Sequence, residues 1–335
     1  MEKSYNCKQL ETTLHFLPDD VKYCCSCTPG IGVGIYDFSK FNKDDVITRR
    51  QKYIEQLNNG KIPAGCTGCP DLKEKTKTDE EPANFSDKIK SLFGKNNNSE
   101  KISHIIIDHF KQCDCRCIYC TQKQLYPNET QRYEILPVIK QLYKSGLLDT
   151  KNMFVEFQGG NISLLKEFDD LLKEFQKHNC NKYLVLLNGI KYIPALENLD
   201  KNSCIVVSLD SGTKETFKKI KNVDAFDSVV NNLIELKKKS DVQIRLKYIV
   251  IKDVNDNIDE AKQFFDTVLK IGQNVWTSFE IDYRDTFMSQ GVRFEVPKHY
   301  YELFDFAQNY SREKGIVYSI NTDFTKSVLE KGYSD

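Results

Sequence analysis

Cys113-Asp114-Cys115-Arg116-Cys117-Ile118-Tyr119-Cys120 is the stretch on which the reading of this chain turns. Taken as Cys113, Cys117 and Cys120, it is a C-x3-C-x2-C triplet with an aromatic residue before the last cysteine. Three thiolates on one short loop can hold three corners of a cubane iron–sulfur cluster and leave its fourth iron without a protein ligand. An open iron is a place for a ligand to bind, as an open coordination position is in a catalytic zinc site. Ferredoxin runs place their thiolates at C-x2-C-x2-C-x3-C, a different spacing. A zinc knuckle on Cys115, Cys117 and Cys120, or a set of buried free thiols, is the alternative that the loop alone leaves open.

Outward from the loop, strands alternate with helical patterns from Ile102 onward, which predicts parallel β/α units. Strands are expected at Ile102–Phe110, Met153–Phe157, Tyr183–Leu187, Cys204–Leu209, Val242–Ile251 and Ser278–Asp282. Helices are expected at Glu129–Lys144, Leu164–His178, Val223–Lys239, Asn257–Leu269 and Lys298–Lys314, with a short one around Pro194–Leu199. In a β/α barrel the working residues sit on loops after the strands, and the Cys113–Cys120 loop follows the first strand directly. After the second strand comes Gln158-Gly159-Gly160-Asn161, where the absence of a Cβ lets backbone approach a ligand. The fourth strand ends in Ser208-Leu209-Asp210, whose outer members share one face by the period of two. Asp210 or Thr213 also reads as the cap of a following helix. The fifth strand carries Arg245 and Lys247 on one face, and either cation suits a carboxylate. Glu280, Asp282, Tyr283, Arg284 and Asp285 follow the sixth strand and are expected to face a polar, hydroxyl- or amino-bearing substrate. His109 reads as a strand residue with a hydrogen-bond partner, Cys180 and Cys204 as core thiols. Cys115 has no partner pattern.

Triplet, Gly-Gly, Ser-x-Asp and fifth strand, in that order across residues 102–285, resemble the radical S-adenosylmethionine (radical SAM) enzymes. The resemblance implies an α/β fold, a partial (β/α)6 TIM-type barrel. It implies a [4Fe-4S] cluster on Cys113, Cys117 and Cys120, whose open iron chelates SAM and cleaves it reductively to a 5′-deoxyadenosyl radical. It assigns Tyr119, Gly159, Gly160, Asn161, Ser208, Asp210 and Lys247 to the SAM side and Glu280, Asp282 and Arg284 to the substrate. Asn161 stands where the family's "GGE" motif has an acid. A flavodoxin- or ferredoxin-type protein is the implied electron donor. No residue is singled out as a catalytic acid or base.

Residues 1–70 form a Cys-rich opening. Cys7, the run Leu10–Leu17, a Pro18-Asp19-Asp20 turn and Val21-Lys22-Tyr23-Cys24-Cys25 read as strand, turn, strand. That hairpin brings Cys7 and Cys24 (or Cys25) to one end of the ribbon. A helix over Val46–Leu57 follows, stopped by Asn58-Asn59-Gly60. Then Gly65-Cys66-Thr67-Gly68-Cys69-Pro70 forms a C-x2-C knuckle. The order is similar to the SPASM and twitch auxiliary-cluster modules of radical SAM enzymes, although those usually follow the barrel. The resemblance implies a second [4Fe-4S] cluster on Cys7, Cys24, Cys66 and Cys69. Cys25 or Cys27 in place of Cys24, and a structural zinc site in place of the cluster, stay open. Residues 71–100, rich in Lys and Asn, read as a solvated linker, leaving 101–335 for the barrel.

Composition sets the outer limits. The chain has 335 residues, 40% hydrophobic and 29% charged, and can bury a sizeable core. Lys+Arg and Asp+Glu each number 48, so no global basic field would draw in nucleic acid or anionic lipid. Neither an apolar signal segment nor a membrane-length apolar run is read, and clustered cysteines in such a chain point to metal ligation in the cytoplasm. The expected substrate is a small polar metabolite such as a sugar derivative, changed by oxidation, epimerisation or rearrangement. A peptide substrate is the alternative within the family, and an iron–sulfur electron carrier the alternative outside catalysis.

Overall fold

The computed structural model describes residues 4–18, 21–24, 43–67, 69, 71–75, 101–120, 133–282, 296–320, 325–326 and 329. These belong to two compact units. The first takes in Met1–Gln112, Glu129–Gly160 and Leu165–Leu184; the second takes in Cys113–Asn128, Asn161–Leu164 and Val185–Asp335.

The first unit runs β1 (Tyr5–Asn6), α1 (Lys8–Thr12), β2 (Thr13–Phe16), β3 (Val21–Lys22), α2 (Lys43–Asn58), β4 (Lys73–Glu74), β5 (His104–Ile107), α3 (Leu136–Lys144), β6 (Phe154–Phe157) and α4 (Phe168–Lys177). Strand β2 lies parallel to β5 and β5 parallel to β6, while β3 pairs antiparallel with β2 at one edge. Ile105, Ile106 and Ile107 of β5 are fully buried, as an unbroken apolar strand must be when both of its faces are covered. Helix α4 presents Phe168, Leu171, Leu172 and Phe175 as one buried stripe of helical period. Phe157 of β6 packs edge-on to Phe168 and Phe175, with ring centroids 5.0 and 6.3 Å away.

Strand β7 (Tyr183–Leu187) begins in the first unit and ends in the second. The second unit continues with β8 (Cys204–Ser208), α5 (Lys214–Lys221), α6 (Phe226–Lys239), β9 (Gln243–Val250), α7 (Ile258–Ile271), β10 (Val275–Ile281), α8 (Lys298–Lys314) and β11 (Val317–Ile320). Strands β8, β9, β10 and β11 pair in that order, all parallel. Thr213 caps α5 by accepting from Thr216 N at 3.2 Å, and Asn257 caps α7 by accepting from Glu260 N at 2.9 Å. Phe279 of β10 stacks on Tyr248 of β9 at 4.6 Å and meets Phe304 of α8 at 6.1 Å, fastening helix to sheet.

The fold is therefore α/β with parallel sheets, as expected, and each of the six expected strands is present. Among the described residues no helix is long and apolar enough to cross a membrane. Three features differ from the sequence reading. Lys8–Thr12 is helical rather than strand, because Lys-Gln-Leu-Glu are good helix formers and the β-prone run begins only at Thr13. Strand β2 is not part of a sheet of its own; it hydrogen-bonds to β5 from Thr13↔His104 to Phe16↔Ile107, so 1–70 is built into the same unit as β5 and β6. The added strand β11 arises from Val-Tyr-Ser-Ile, a β-prone run too short to stand out unpaired.

Candidate iron–sulfur site

The Cys113–Cys120 loop belongs to the second unit and is fastened to the end of α5. A helix leaves its last carbonyls without intrahelical partners. Here Lys221 O accepts from Arg116 N and Ile220 O from Ile118 N, both at 2.9 Å. Asn222 closes the helix in the left-handed region at φ 56°. Within the loop Cys120 N donates to Cys117 O at 3.1 Å, and Cys115 N lies 3.4 Å from Cys113 Sγ.

The thiols of this loop are unequal. Cys115 is buried and holds its proton far above the usual range, because its S–H is hydrogen-bonded to Cys113 and Cys117 and sits away from water. Those bonds in turn hold Cys113 below its ordinary value. Cys117 is held down to about 6, first by the hydrogen bond from Cys115 and then by the Lys221 ammonium, against the upward push of burial. A loop that favours the thiolate suits metal ligation, since the thiolate is the ligating form. The donor set Cys113, Cys117 and Cys120 therefore fits a cluster with three protein ligands.

Asn161 is 1% exposed and donates through Nδ2 to Asp114 Oδ1 at 2.8 Å and to Ser163 Oγ at 2.7 Å. Asn188, after β7, donates to the same Asp114 oxygen at 2.6 Å and to Cys115 Sγ at 3.2 Å. Tyr119 OH donates to Asp210 Oδ2 at 2.7 Å, and Ile249 N donates to Asp210 Oδ1 at 2.9 Å. Ser208 stands opposite Lys247 in the β8–β9 register, and Lys247 Nζ lies 2.7 Å from Glu280 Oε2. Asp282 is 1% exposed, just beyond β10. Arg284 lies outside the described residues, as do Cys25 and Cys27.

In the first unit Gly159 and Gly160 are required as glycines. A Cβ on Gly159, at φ +111°, would lie 2.5 Å from Asp108 Oδ1 and Phe110 O, and one on Gly160 would collide with the Gln112 carbonyl. Gly160 N donates to Phe110 O at 2.8 Å, holding the two backbones together. His109 is wholly buried and burial lowers it to about 4. Contrary to the sequence expectation, neither ring nitrogen has a hydrogen-bond partner among the described residues, and the Glu167 carboxylate stands 4.0 Å from Nε2. The ring packs 5.1 Å from that of Tyr133 instead.

Cys7, Cys24 and Cys66 are buried, Cys69 is partly so, and all are free thiols. Cys7 leads into α1, Cys24 follows β3, and Cys66 and Cys69 sit on tight turns in which Cys66 N donates to Pro63 O and Cys69 N to Cys66 O. Burial pushes Cys66 up to about 11, and the thiols of Cys7, Cys24 and Cys69 push the same way. Cys7 is likewise raised to about 11, chiefly by burial. The Cys66 thiol thus feels those of Cys7, Cys24 and Cys69, and four cysteines are a donor chemistry that suits a metal or cluster.

No protein-family model matches the sequence. Over 177 residues the chain is 30% identical to the GTPase Obg of Brachyspira hyodysenteriae, covering 50% of this chain and 26% of that protein. The sequence contains no G-x4-G-K-[S/T] phosphate loop. Over 200 residues it is 25% identical to the GTP 3′,8-cyclase of Thermodesulfovibrio yellowstonii, covering 54% of this chain and 61% of the cyclase. The chain thus spans less than two thirds of the length of either relative. Among solved structures, Streptococcus suis SuiB bound to the precursor peptide SuiA superimposes with a TM-score of 0.52 at 12% identity, over 85% of this chain and 65% of SuiB. At that identity the likeness is one of fold. The cyclase similarity, that fold and the ordered motifs now stand together. Together they make the chain similar to the radical SAM superfamily.

Asp114 within this loop, and Lys221 and Asn188 against it, are residues that sequence reasoning missed. Only Lys221 left a trace. It falls four residues after Phe217 and next to Ile220, on the buried stripe of α5, where an apolar side chain is the rule.

Proposed function

We propose that this radical SAM enzyme binds a [4Fe-4S] cluster on Cys113, Cys117 and Cys120 and binds SAM at the open iron. One electron from a flavodoxin- or ferredoxin-type donor then yields methionine and a 5′-deoxyadenosyl radical. That radical abstracts hydrogen from a C–H bond of the substrate; the cofactor supplies the chemistry and the protein supplies position and exclusion of water. The observation that carries the reading is the triplet loop itself, with thiols held toward the thiolate by Cys115 and Lys221. Asn161, Ser208 and Lys247 form the SAM side in this reading, with Tyr119 beside it. Asp210 acts from behind, since both of its oxygens are taken within the protein.

The substrate proposed is a small polar metabolite of the sugar-derivative kind. Glu280 near the end of β10 and Asp282 just beyond it support it, because carboxylates accept hydrogen bonds readily from hydroxyl and amino groups. A peptide, as in the SuiB complex, is the competing substrate. Cys7, Cys24, Cys66 and Cys69 are proposed to hold a second [4Fe-4S] cluster that is fully ligated and does not bind SAM.

Protein reconstituted without oxygen and given dithionite should release 5′-deoxyadenosine and methionine in equal amounts, read by chromatography. Replacing Cys113, Cys117 and Cys120 together with Ala should abolish that release. A fully loaded wild-type protein that makes no deoxyadenosine would end the proposal.

A further inference from the structure

Lys221 is the side chain that folding alone does not explain. It is 2% exposed, and its ammonium donates to Tyr119 OH at 2.6 Å, pairs with Asp210 and stands 4.9 Å from the centre of the Tyr119 ring. Asp210 is 0% exposed and adopts φ 60°, a strained conformation for a residue with a Cβ. Replacing a buried ion pair by apolar residues of similar volume is often neutral or stabilising, so the pair is weak evidence for a purely structural role. Its surroundings point elsewhere. The backbone carbonyls of Ile220 and Lys221 hold the amides of Ile118 and Arg116, on either side of Cys117. Tyr119, which bridges the ammonium and the carboxylate, immediately precedes Cys120. Lys221 itself supplies one of the two carbonyls that hold the loop, and its ammonium reaches the hydroxyl of the residue before Cys120.

We infer that Lys221 is a built-in cation that raises the reduction potential of the cluster on Cys113, Cys117 and Cys120. Tyr119 transmits its influence to the loop and Asp210 limits it. The inference rests on the cluster reading above. On reduction the site takes one electron from a low-potential one-electron donor protein and gains one negative charge, and no proton moves. A fixed positive charge in a dry, low-dielectric surrounding stabilises that added charge far more than an exposed one does. Net charge and hydrogen bonds to the sulfurs are the recognised means by which proteins set cluster potentials. Lys221 is thus a positioning residue for charge, acting through Cys117 rather than on a substrate.

The test is a potentiometric titration of the reconstituted full chain, following the electron paramagnetic resonance signal that responds to added SAM. The double variant Lys221→Met/Asp210→Asn removes both charges and leaves no buried charge unpaired. It should lower the potential by about 59 mV, a tenfold loss in the one-electron reduction equilibrium. Tyr119→Phe should lower it by less. Asp210→Asn alone should raise it, since the cation is then unopposed. A general loss of structure would not give shifts of opposite sign, and melting curves check each variant. If the double variant assembles no cluster, Tyr119→Phe and Asp210→Asn still decide the matter by their signs. Unchanged potentials, or shifts all of one sign, in a wild-type background with a SAM-responsive signal would overturn this inference alone. A loaded wild type without such a signal would overturn it together with the cluster reading.

Discussion

The two cysteine sites differ in how their thiols are held. In the Cys113–Cys120 loop, Cys115 and Lys221 draw Cys117 down to about 6, so that it is ionised at neutral pH. Around Cys66 the neighbours are other thiols and burial, and both Cys66 and Cys7 are raised to about 11. Both donor sets fit metal, yet they face opposite electrostatic demands. The loop is poised for a charge before any metal arrives. On the proposed reading the N-terminal site loses protons to the metal as it loads, because the ligating form is the thiolate. Such a difference is what one expects between a working centre, tuned by its protein, and a fully ligated one that needs only to be stable.

The sharpest way to break this comparison is alkylation of the reduced, metal-free protein at pH 7.5 with iodoacetamide, followed by peptide mass spectrometry. Thiolate fractions set by pKa values near 6 and near 11 differ on the order of 10³-fold. Cys117 should therefore label about tenfold faster than Cys7 or Cys66, after allowance for the lower nucleophilicity of the more acidic thiolate. Equal rates would remove the electrostatic distinction.

A second test turns on His109, which belongs to the same unit as the N-terminal cysteines. Its pKa in the folded chain, about 4, lies below the ordinary 6.5 because burial disfavours the imidazolium. A depressed value means that stability is intact above pH 6.5 and falls as pH drops toward 4, where the unfolded chain alone takes the proton. The loss should reach about 3 kcal/mol across that window. Urea melts of the His109→Leu variant between pH 7 and 4 should show a correspondingly flatter acid limb. An unchanged acid limb would relocate the sensitivity to other groups.

The smallest expected effect concerns Asn161. It gives its amide to Asp114 in the loop, and removing one such neutral donor to a carboxylate should weaken SAM binding by about 1–2 kcal/mol in Asn161→Ala, read by calorimetry. No change at all would detach Asn161 from the working site. A loss approaching abolition would mean that Asp114 depends on it for position.

Much of this was written in the sequence. The helix Lys298–Lys314 keeps its expected bounds, and so does the strand Tyr183–Leu187, because both carry an unbroken period between clear stop signals. The Cys triplet was legible because its spacing is a chemical requirement and owes nothing to tertiary contacts. The helix at Lys8–Thr12 was not, since five residues are too few to show a period against the β-prone run that follows. The pairing of β2 with β5 joins residues some ninety positions apart, Thr13 with His104, and nothing local encodes it. Lys247 and Glu280 were assigned to different ligands, SAM and substrate, yet they pair with each other across β9 and β10. Lys221 was visible only as a charged residue on an apolar stripe, a signal that acquires meaning once α5 is seen to end on the loop.

The claim at the centre of this account is that one cysteine site is open to SAM and the other is closed. Electron paramagnetic resonance of the dithionite-reduced protein, recorded with and without SAM, tests it most directly when wild type is set beside the Cys113→Ala/Cys117→Ala/Cys120→Ala variant. The wild type should show two cluster signals, one of which shifts on addition of SAM. The variant should keep about four irons, as one cysteine-ligated cubane requires, and show a single signal that SAM leaves unchanged. A SAM-responsive signal that survives in the variant, or zinc in place of those irons, would contradict the account.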